Sequence, residues 1–401
     1  MKRFLLLALC AILSANADAR TLYVDASRPN NSGNGLSAKK AKKTIQAAIN
    51  VAKKGDTILV YPGSYAPIAT NNKKIASKGV KGAAKTTIVP PKTLTCNLAL
   101  ARLGRTYLPA PNDAAWIDPA QIRSISSVLA LTGLWQSYSS DINDTAWSTG
   151  TSTTLAGFTL DGQKKPSEWY TLCGASGGTL KSCVVRRMGA PGMAANSDND
   201  INPNTYVYTA VYSTLSNCTV RDNHASLDVC VFSGCKLEDN ACDYGFSYSC
   251  RFYNCLLARN RCFNDEMLDN DLLVNCSLSG NASIHYSSSK PVFSVRCKYY
   301  NSILFDNCTQ SYGYHYPDGY VYGAKTVHNT DPGNTYDNTF TDNRDPKFVN
   351  AAKGDFRLAK GSPCIDKGKL TKAQKKLVGT KDLAGRKRIK GKAVDRGCYE
   401  Y

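Results

Sequence analysis

Apolar residues in the middle of the chain alternate with polar ones over short segments instead of recurring at helical spacing. Four segments share one pattern: an apolar residue, a turn residue, Cys, an outward residue, an apolar residue, two polar residues and Asn. They are LSNCTVRDN (215–223), FSGCKLEDN (232–240), FYNCLLARN (252–260) and LVNCSLSGN (273–281). Alternation with a period of two predicts strands with one buried face. The Gly, Asn and Ser residues that interrupt the pattern argue against helices.

The spacing of these segments predicts a β-solenoid. The shared cysteines stand at 218, 235, 255 and 276, so they are separated by 17, 20 and 21 residues, and a degenerate copy, YYNSILFDN (299–307), places Ser302 26 residues later. A further copy, LKSCVVRRM (180–188), keeps Cys183 and lacks the Asn. Intervals of this length suit one coil of a solenoid each.

Stacked coils place equivalent residues about 4.8 Å apart and therefore predict columns of like side chains. The thiol column is Cys183, Cys218, Cys235, Cys255 and Cys276; the apolar column is Val185, Val220, Leu237, Leu257 and Leu278; the Asn column is Asn223, Asn240, Asn260, Asn281 and Asn307. Secondary columns contain Cys230, Cys250 and Cys297, and Cys242 and Cys262. Asn suits a bend. Buried thiols are expected to pack as small apolar groups, with disulfides between coils as the alternative.

The chain divides into a signal peptide (1–19) and a single domain (20–401) with a short N-terminal capping helix. Two basic residues, an apolar run from Phe4 to Leu13 and small residues up to Ala19 are typical of a signal peptide cleaved near Ala19. We expect a secreted, cell-surface or periplasmic protein without a transmembrane segment. Within the domain, residues 20–66 form the N-terminal cap, 128–345 the repeat coils and 345–401 the C-terminal cap region. Residues 90–127 are predicted as an inserted loop, and 367–392 as an exposed connection.

The net charge of the chain narrows the set of expected binding partners, and its cysteine count bears on disulfide pairing. The chain has 50 Lys and Arg against 31 Asp and Glu, and removing residues 1–19 leaves 48 and 30, a net charge of +18. Such a surface favours an anionic partner, such as an acidic polysaccharide, or serves solubility alone. No nucleic-acid-binding motif is present, so nucleic acid is not an expected partner. Of the 16 cysteines, Cys10 is lost with the signal peptide, so an odd number remains.

Both ends of the chain resemble secreted bacterial proteins of the pectate-lyase-like superfamily. The N-terminal resemblance lies in TLYVDAS (21–27) and TIQAAINVAKKGDTILVYPGSY (44–65), and LAGFTLDG (155–162) adds to it. The segments DPKFVNAAKGDFRLAKGSPCIDKG (345–368) and DLAGRKRIKGKAVDRGCYEY (382–401) resemble the C-terminal region of surface-anchored β-helix proteins. The resemblance implies an all-β fold, a right-handed parallel β-helix. Two usually small positions of that region are Cys364 and Cys398, for which we expect a disulfide bond.

Charged residues are predicted to gather on one outer face. In the predicted register, Arg186, Arg221 and Glu238 share one column, and Arg187, Asp222, Asp239 and Arg259 share the next. The resemblance implies that such enzymes use this face, with carboxylates that hold calcium and a basic side chain that removes a proton. We assign Arg221, Arg186 and Arg187 to catalysis, Asp222 and Asp239 to calcium, and Glu238 and Arg259 to substrate binding. The alternative is a solvated ladder of ion pairs such as Arg221 with Glu238.

Two loops offer further candidates. Asp198 and Asp200 in NSDNDINP (196–203) are possible calcium ligands, or part of an ordinary surface loop that lacks an EF-hand pattern. Tyr314 and Tyr316 in YGYHYPDGYVYG (312–323) either stack on sugar rings or belong to an ordinary tyrosine-rich turn. The sequence contains neither a GxSxG nor an HExxH motif.

Three functional hypotheses follow. The first is a protein that binds or degrades an anionic polysaccharide, by lyase-type β-elimination if it is an enzyme. The second is a non-enzymatic surface or adhesion protein whose solenoid is a rigid scaffold. The third is a glycoside hydrolase of the same fold, with Asp222 and Asp239 as its carboxylates. Calcium is the only cofactor that these hypotheses suggest.

Overall fold

A computed structural model describes most of the domain. The described residues are 19–70, 73–89, 99–102, 153–162, 173–189, 208–243, 245–263, 266–285, 292–312, 321–326, 333–341 and 344–401. Nearly all of the signal peptide, most of the predicted loop 90–127, and Asp198, Asp200, Tyr314 and Tyr316 lie outside them. The roles assigned to these residues stay predictions.

Three long parallel sheets form the body of the molecule. Sheet 1 contains β1 (Thr21–Val24), β2 (Thr57–Val60), β5 (Ala76–Gly79), β8 (Thr154–Ala156), β11 (Thr179–Lys181), β14 (Thr214–Ser216), β17 (Val231–Ser233), β21 (Arg251–Tyr253), β25 (Leu272–Val274), β29 (Lys298–Tyr300) and β33 (Thr335–Asp337). Sheet 2 contains β3 (Gly63–Tyr65), β6 (Thr86–Ile88), β9 (Thr159–Asp161), β12 (Val184–Arg186), β15 (Thr219–Arg221), β18 (Lys236–Glu238), β22 (Leu256–Ala258), β26 (Ser277–Ser279) and β30 (Ile303–Phe305). Sheet 3 contains β4 (Ile68–Ala69), β7 (Ala99–Arg102), β10 (Cys173–Ser176), β13 (Tyr208–Val211), β16 (Ser226–Asp228), β20 (Ser247–Tyr248), β24 (Leu268–Asp269) and β28 (Ser294–Val295).

Two smaller sheets complete the strands of the described residues. Sheet 4 contains β19 (Ala241–Cys242), β23 (Arg261–Phe263), β27 (Ala282–His285), β31 (Cys308–Tyr312) and β32 (Val321–Thr326), of which only the last two pair antiparallel. Sheet 5 is the antiparallel pair β34 (Phe348–Asn350) and β35 (Asp355–Leu358).

Strand order confirms the predicted all-β parallel β-helix. Along the chain, strands of sheets 1, 2 and 3 follow one another in turn, and each pairs in parallel with its equivalent in the next coil. The same stacking runs from β1 onward, ahead of the repeat coils predicted over 128–345. The apolar column is confirmed, because Val185, Val220, Leu237, Leu257 and Leu278 are direct strand partners. These side chains are buried.

Each coil turns at residues in the left-handed backbone region. The corner between sheets 1 and 2 uses Ser182, Asn217, Gly234, Asn254, Asn275, Asn301 and Asn338; the corner after sheet 2 uses Arg187, Asp222, Asp239, Arg259, Gly280 and Asp306. Asn, Asp and Gly tolerate this region best. The corners interrupt the strand hydrogen bonds, so the inward residue that follows each one must satisfy a backbone N–H.

The predicted columns meet this need. The N–H of Cys183 donates to the Sγ of Cys218 at 3.4 Å, and the same contact repeats along the thiol column to Cys276, whose N–H donates to Ser302 Oγ at 3.1 Å. In the Asn column, each described side chain from Asn223 to Asn281 donates to the next Asn Oδ1, at 2.7–2.9 Å. Both columns are therefore hydrogen-bonded ladders as well as packing.

Helix α1 (Ile45–Val51) forms where the sequence predicts one. Thr44 caps it by accepting a hydrogen bond from the N–H of Ala47, and Ile45, Ala48 and Ile49 are buried. It contacts the first strands, β1, β2 and β4. No helix among the residues described is long and apolar enough to cross a membrane.

The C-terminal segment (residues 344–401) packs along the side of the solenoid. It contains β34, β35 and helix α2 (Lys372–Val378), whose N-cap is Thr371. Phe356, Cys398 and Tyr399 pack on the outer residues of β22, and Val378 packs on outer residues of sheet 1. The prediction of an exposed connection over 367–392 is wrong in part, because Val378, Asp382 and Arg388 within it are buried.

The predicted disulfide between Cys364 and Cys398 is absent from the structure. Neither residue is part of a disulfide bond. The two belong to separate apolar clusters, because Cys398 packs with Leu256 and Phe356 whereas Cys364 packs with Ile303 and Leu358.

Thiol counting tests this description. The described residues contain 13 cysteines outside any disulfide. We expect the unreduced protein, unfolded in denaturant, to react with a thiol reagent at 13 or more positions, because no bond protects these sulfurs. Native protein should react slowly, since all but the half-buried Cys308 are buried. A count below 13 after unfolding would show that disulfides form within the columns or between Cys364 and Cys398.

Candidate functional site

The outer face of sheet 2 brings the predicted charged residues together. Arg186, Arg221 and Glu238 are consecutive strand partners, which confirms their shared column. The second predicted column occupies the corner that follows these strands, with φ near +57° at Arg187, Asp222, Asp239 and Arg259. We call these seven residues, with Asp161 of β9, the charged ledge.

Asp161 anchors one end of the charged ledge. It is the strand partner of Arg186, and its side chain is only 3% exposed. Arg186 Nη2 lies 3.0 Å from Asp161 Oδ2, and Arg187 Nε donates to Oδ1 at 2.5 Å. The hydrogen bond to Asp161 raises the pKa of Arg187 despite its partial burial. Arg187 is thus held as a cation and is unsuited to the role of a base.

Arg221 and Asp222 form an exposed pair in the middle of the charged ledge. Arg221 Nη1 donates to Asp222 Oδ2 at 2.9 Å, and the side chains are 45% and 48% exposed. The predicted pair of Arg221 with Glu238 is therefore replaced by a contact between chain neighbours. An ion pair this exposed contributes at most about 1 kcal/mol, so it leaves Arg221 available to a ligand.

Arg259 closes the other end of the charged ledge. Its Nε and Nη2 donate to the two oxygens of Asp239 at 2.7 and 2.8 Å, and Nη2 lies 3.5 Å from Glu238 Oε1. The hydrogen bond to Asp239 raises the pKa of Arg259. Its guanidinium carbon also lies 5.8 Å from the ring centroid of Phe356, in the range of a cation–π contact. Arg259 therefore joins the charged ledge to the C-terminal segment.

Beyond Arg259 the outer face of sheet 2 is covered. Positions equivalent to Lys236 and Glu238 become Leu256 and Ala258 in the next coil, and both are fully buried. The backbone N–H of Cys398 donates to Ser277 Oγ at 3.2 Å in the coil after that. Among the described residues, the charged ledge is therefore left uncovered from β9 to β18.

The residues of the charged ledge do not fit a calcium site. Calcium requires six to eight oxygen ligands. Asp222 and Asp239 each bind an arginine instead, and no cluster of three metal-binding side chains occurs in the described part of the chain. The predicted calcium role of these two residues is therefore not supported, and we derive no metal-dependent step.

Asp161 is the member of the charged ledge that the repeat analysis missed. It lies in LAGFTLDG (155–162), a coil with Phe158 in place of the column cysteine and Gly162 in place of a charged corner residue. The signal was nevertheless present, because aligning Leu160 with Val185 places Asp161 beside Arg186.

Comparisons with known proteins give similar solved structures but no matching family. No protein-family model and no curated protein matches the chain. Among solved structures, the chain is similar to the pectate lyase Pel9A (13% identity, 95% of this chain and 96% of that one, TM-score 0.42). It is also similar to a pectin methylesterase from carrot (11% identity, 82% and 90%, TM-score 0.34) and to a rhamnogalacturonan lyase (10% identity, 89% and 98%, TM-score 0.30). The β-helix assignment follows from the strand register of this chain, and these similarities assign no residue a role.

Proposed function

We propose that the protein binds an anionic polysaccharide on the charged ledge. The observation that carries this proposal is the cluster of Arg186, Arg187 and Arg221 on adjacent coils, with side chains 34%, 41% and 45% exposed. The planar guanidinium group of arginine can donate two parallel hydrogen bonds to a carboxylate, and the paired strands fix the spacing between neighbouring arginines. A chain that carries repeated acidic groups can contact several arginines at once. We also propose that the protein is exported to meet such a polymer.

Lyase chemistry is a narrower form of this proposal, with Arg221 as the base and Arg186 neutralising the substrate carboxylate. Arginine can remove a proton only in its neutral, deprotonated form. Arg221 Nη1 instead donates a hydrogen bond to the carboxylate of Asp222 at 2.9 Å. The arrangement therefore favours binding over elimination. Glu238 and Arg259 lie at the covered end of the charged ledge, so they form at most the boundary of the binding surface.

The test measures binding and elimination together. Polygalacturonate binding is followed by titration calorimetry, and unsaturated uronate products by absorbance. We expect binding by the wild type and a loss of roughly tenfold or more in affinity for Arg186→Ala/Arg221→Ala, because two charge-assisted contacts are lost. Arg28→Ala, which removes one arginine from the N-terminal end, should leave affinity nearly unchanged.

Each other outcome has a defined meaning. Equal affinity of the wild type and the double variant would exclude the charged ledge as the binding site. Absorbance that rises for the wild type and stays flat for Arg221→Ala would establish the lyase form. Absence of binding to every acidic polysaccharide tested would favour the alternative of a non-enzymatic scaffold or adhesion protein.

A further inference from the structure

The positive charge of this protein is concentrated at the two ends of the chain. Residues 20–89 contain thirteen Lys and Arg and only two Asp, a formal charge of +11. Residues 344–401 contain seventeen Lys and Arg against six Asp and Glu, again +11, whereas residues 90–343 contain 18 and 22, which gives −4. The charged ledge therefore lies in a part of the chain with no excess of positive charge. The excess charge needs a separate explanation.

Lysines of the N-terminal part surround the outer face of sheet 1. Lys78 is exposed on β5 and is the strand partner of Leu59. Lys53, Lys54 and Lys74 stand before β2 and β5 at one side of the face, and Lys81 and Lys85 follow β5 at the other. Hydrogen bonds between adjacent coils fix the backbone on both sides of this face. Gly55 N–H donates to the carbonyl of Lys74 at 2.7 Å, and Gly63 N–H donates to the carbonyl of Lys85 at 2.9 Å. We call these six residues the lysine face.

Among the residues that the structure describes, no carboxylate forms an ion pair with the lysine face. The six side chains are exposed, and none forms an ion pair within the described residues. Of the two acids nearby in sequence, Asp56 is buried and bound to Arg20 at 2.7 Å. Asp25 accepts hydrogen bonds from Ser27 and lies 3.8 Å from Arg28. Six exposed cations on and beside one sheet face repel one another, which favours an anionic partner over a purely structural role.

We infer that the lysine face is a second binding surface, independent of the charged ledge, for a linear anionic polysaccharide. The ammonium group of lysine is a point charge and lacks the planar, bidentate geometry of a guanidinium group. An array of lysines therefore recognises the density of negative charge along a polymer. A membrane is disfavoured, because binding to its interface uses a set of apolar side chains, and the described part of residues 51–89 exposes a single large one, Val51. The two surfaces are neighbours, since Thr159 Oγ1 in β9 donates to the carbonyl of Ala83, between Lys81 and Lys85, at 2.8 Å.

The test compares two triple variants with equal loss of charge. Lys78→Gln/Lys81→Gln/Lys85→Gln alters the lysine face, and Lys372→Gln/Lys375→Gln/Lys376→Gln alters exposed lysines of α2. Polygalacturonate affinity is measured across salt concentrations. We expect the first variant to bind roughly tenfold more weakly, with a shallower salt dependence, because three exposed contacts are lost. The second variant should bind within about twofold of the wild type.

The same measurement in the Arg186→Ala/Arg221→Ala background separates the two surfaces. If the lysine substitutions weaken binding there while the arginine substitutions alone change nothing, the lysine face stands and the proposed role of the charged ledge is wrong. Equal losses from both lysine triples would overturn the inference in favour of a net-charge effect. Binding to vesicles of phosphatidylglycerol without binding to polygalacturonate would also overturn it, in favour of a membrane surface.

Discussion

Replacement of Asn260 with alanine is expected to lower the free energy of unfolding by about 3–5 kcal/mol. Asn260 is fully buried, and its Nδ2 donates to Leu237 O and to Asn281 Oδ1, both at 2.9 Å. Its Oδ1 accepts from the backbone N–H of Asn240 at 3.1 Å and from Asn240 Nδ2 at 2.9 Å. Alanine removes all four bonds and leaves buried polar groups without partners. Urea unfolding of the two proteins measures the difference.

The matched control is Asn50→Ala. Asn50 is exposed on α1, where its Oδ1 accepts one hydrogen bond, from Gln46 Nε2 at 2.9 Å. We expect this change to alter stability by no more than about 0.5 kcal/mol. A loss below about 1 kcal/mol for Asn260→Ala would contradict the ladder as a major source of stability.

The hydrogen-bonded ladders show how much of the structure the repeat pattern in the sequence could predict. Regular spacing placed Asn240 and Asn260 in one column, because equivalent residues of neighbouring coils must stack. The same spacing placed Cys235 over Cys255. Backbone conformation is not visible in such a pattern, so the left-handed corner before each column, and the N–H that each side chain satisfies, emerge only from the structure.

The docking of the C-terminal segment could not be predicted from the repeats. A repeat pattern relates a coil only to its neighbours, whereas Leu256 and Phe356 are 100 residues apart. A partial signal was present, because Leu256 occupies an outward position that is Lys236 in the preceding coil. An apolar residue at an outward position indicates cover, although it does not identify the covering segment. The same docking places Cys364 and Cys398 in separate clusters, contrary to the disulfide predicted between them.

Asp271 breaks a column in a way that affects stability. It occupies the position of Cys230, Cys250 and Cys297 in equivalent coils, and it accepts the N–H of Cys250 at 2.6 Å as a column sulfur would. Its other oxygen contacts Ser247 Oγ. Burial raises the pKa of Asp271 well above its ordinary value, and the charges of Asp269 and Asp228 raise it further. Burial therefore disfavours the charged form of a carboxyl group in this place.

Asp228 lies on the same side of the core. It is 5% exposed, and its Oδ1 has no hydrogen-bond partner within the described residues. Burial raises the pKa of Asp228 from 3.8 to about 7. Between these two pH values, the folded protein keeps a proton that the unfolded chain releases. Folding stability therefore falls as pH rises through this window, and ionisation costs up to about 4 kcal/mol by its upper end.

We expect Asp228→Asn/Asp271→Cys to be more stable than the wild type above pH 7 and to lose less stability between pH 4 and 8. Cys at position 271 restores the column, and Asn at 228 keeps a polar group of similar size without a charge. Urea unfolding at intervals across this range measures the profile, and Asp337→Asn, which removes an exposed carboxylate, controls for net charge. A double variant whose stability falls as steeply as that of the wild type would show that these two carboxyl groups do not set the pH dependence. A flatter profile would place that dependence in the core of the solenoid, apart from the exposed charges that bind a ligand.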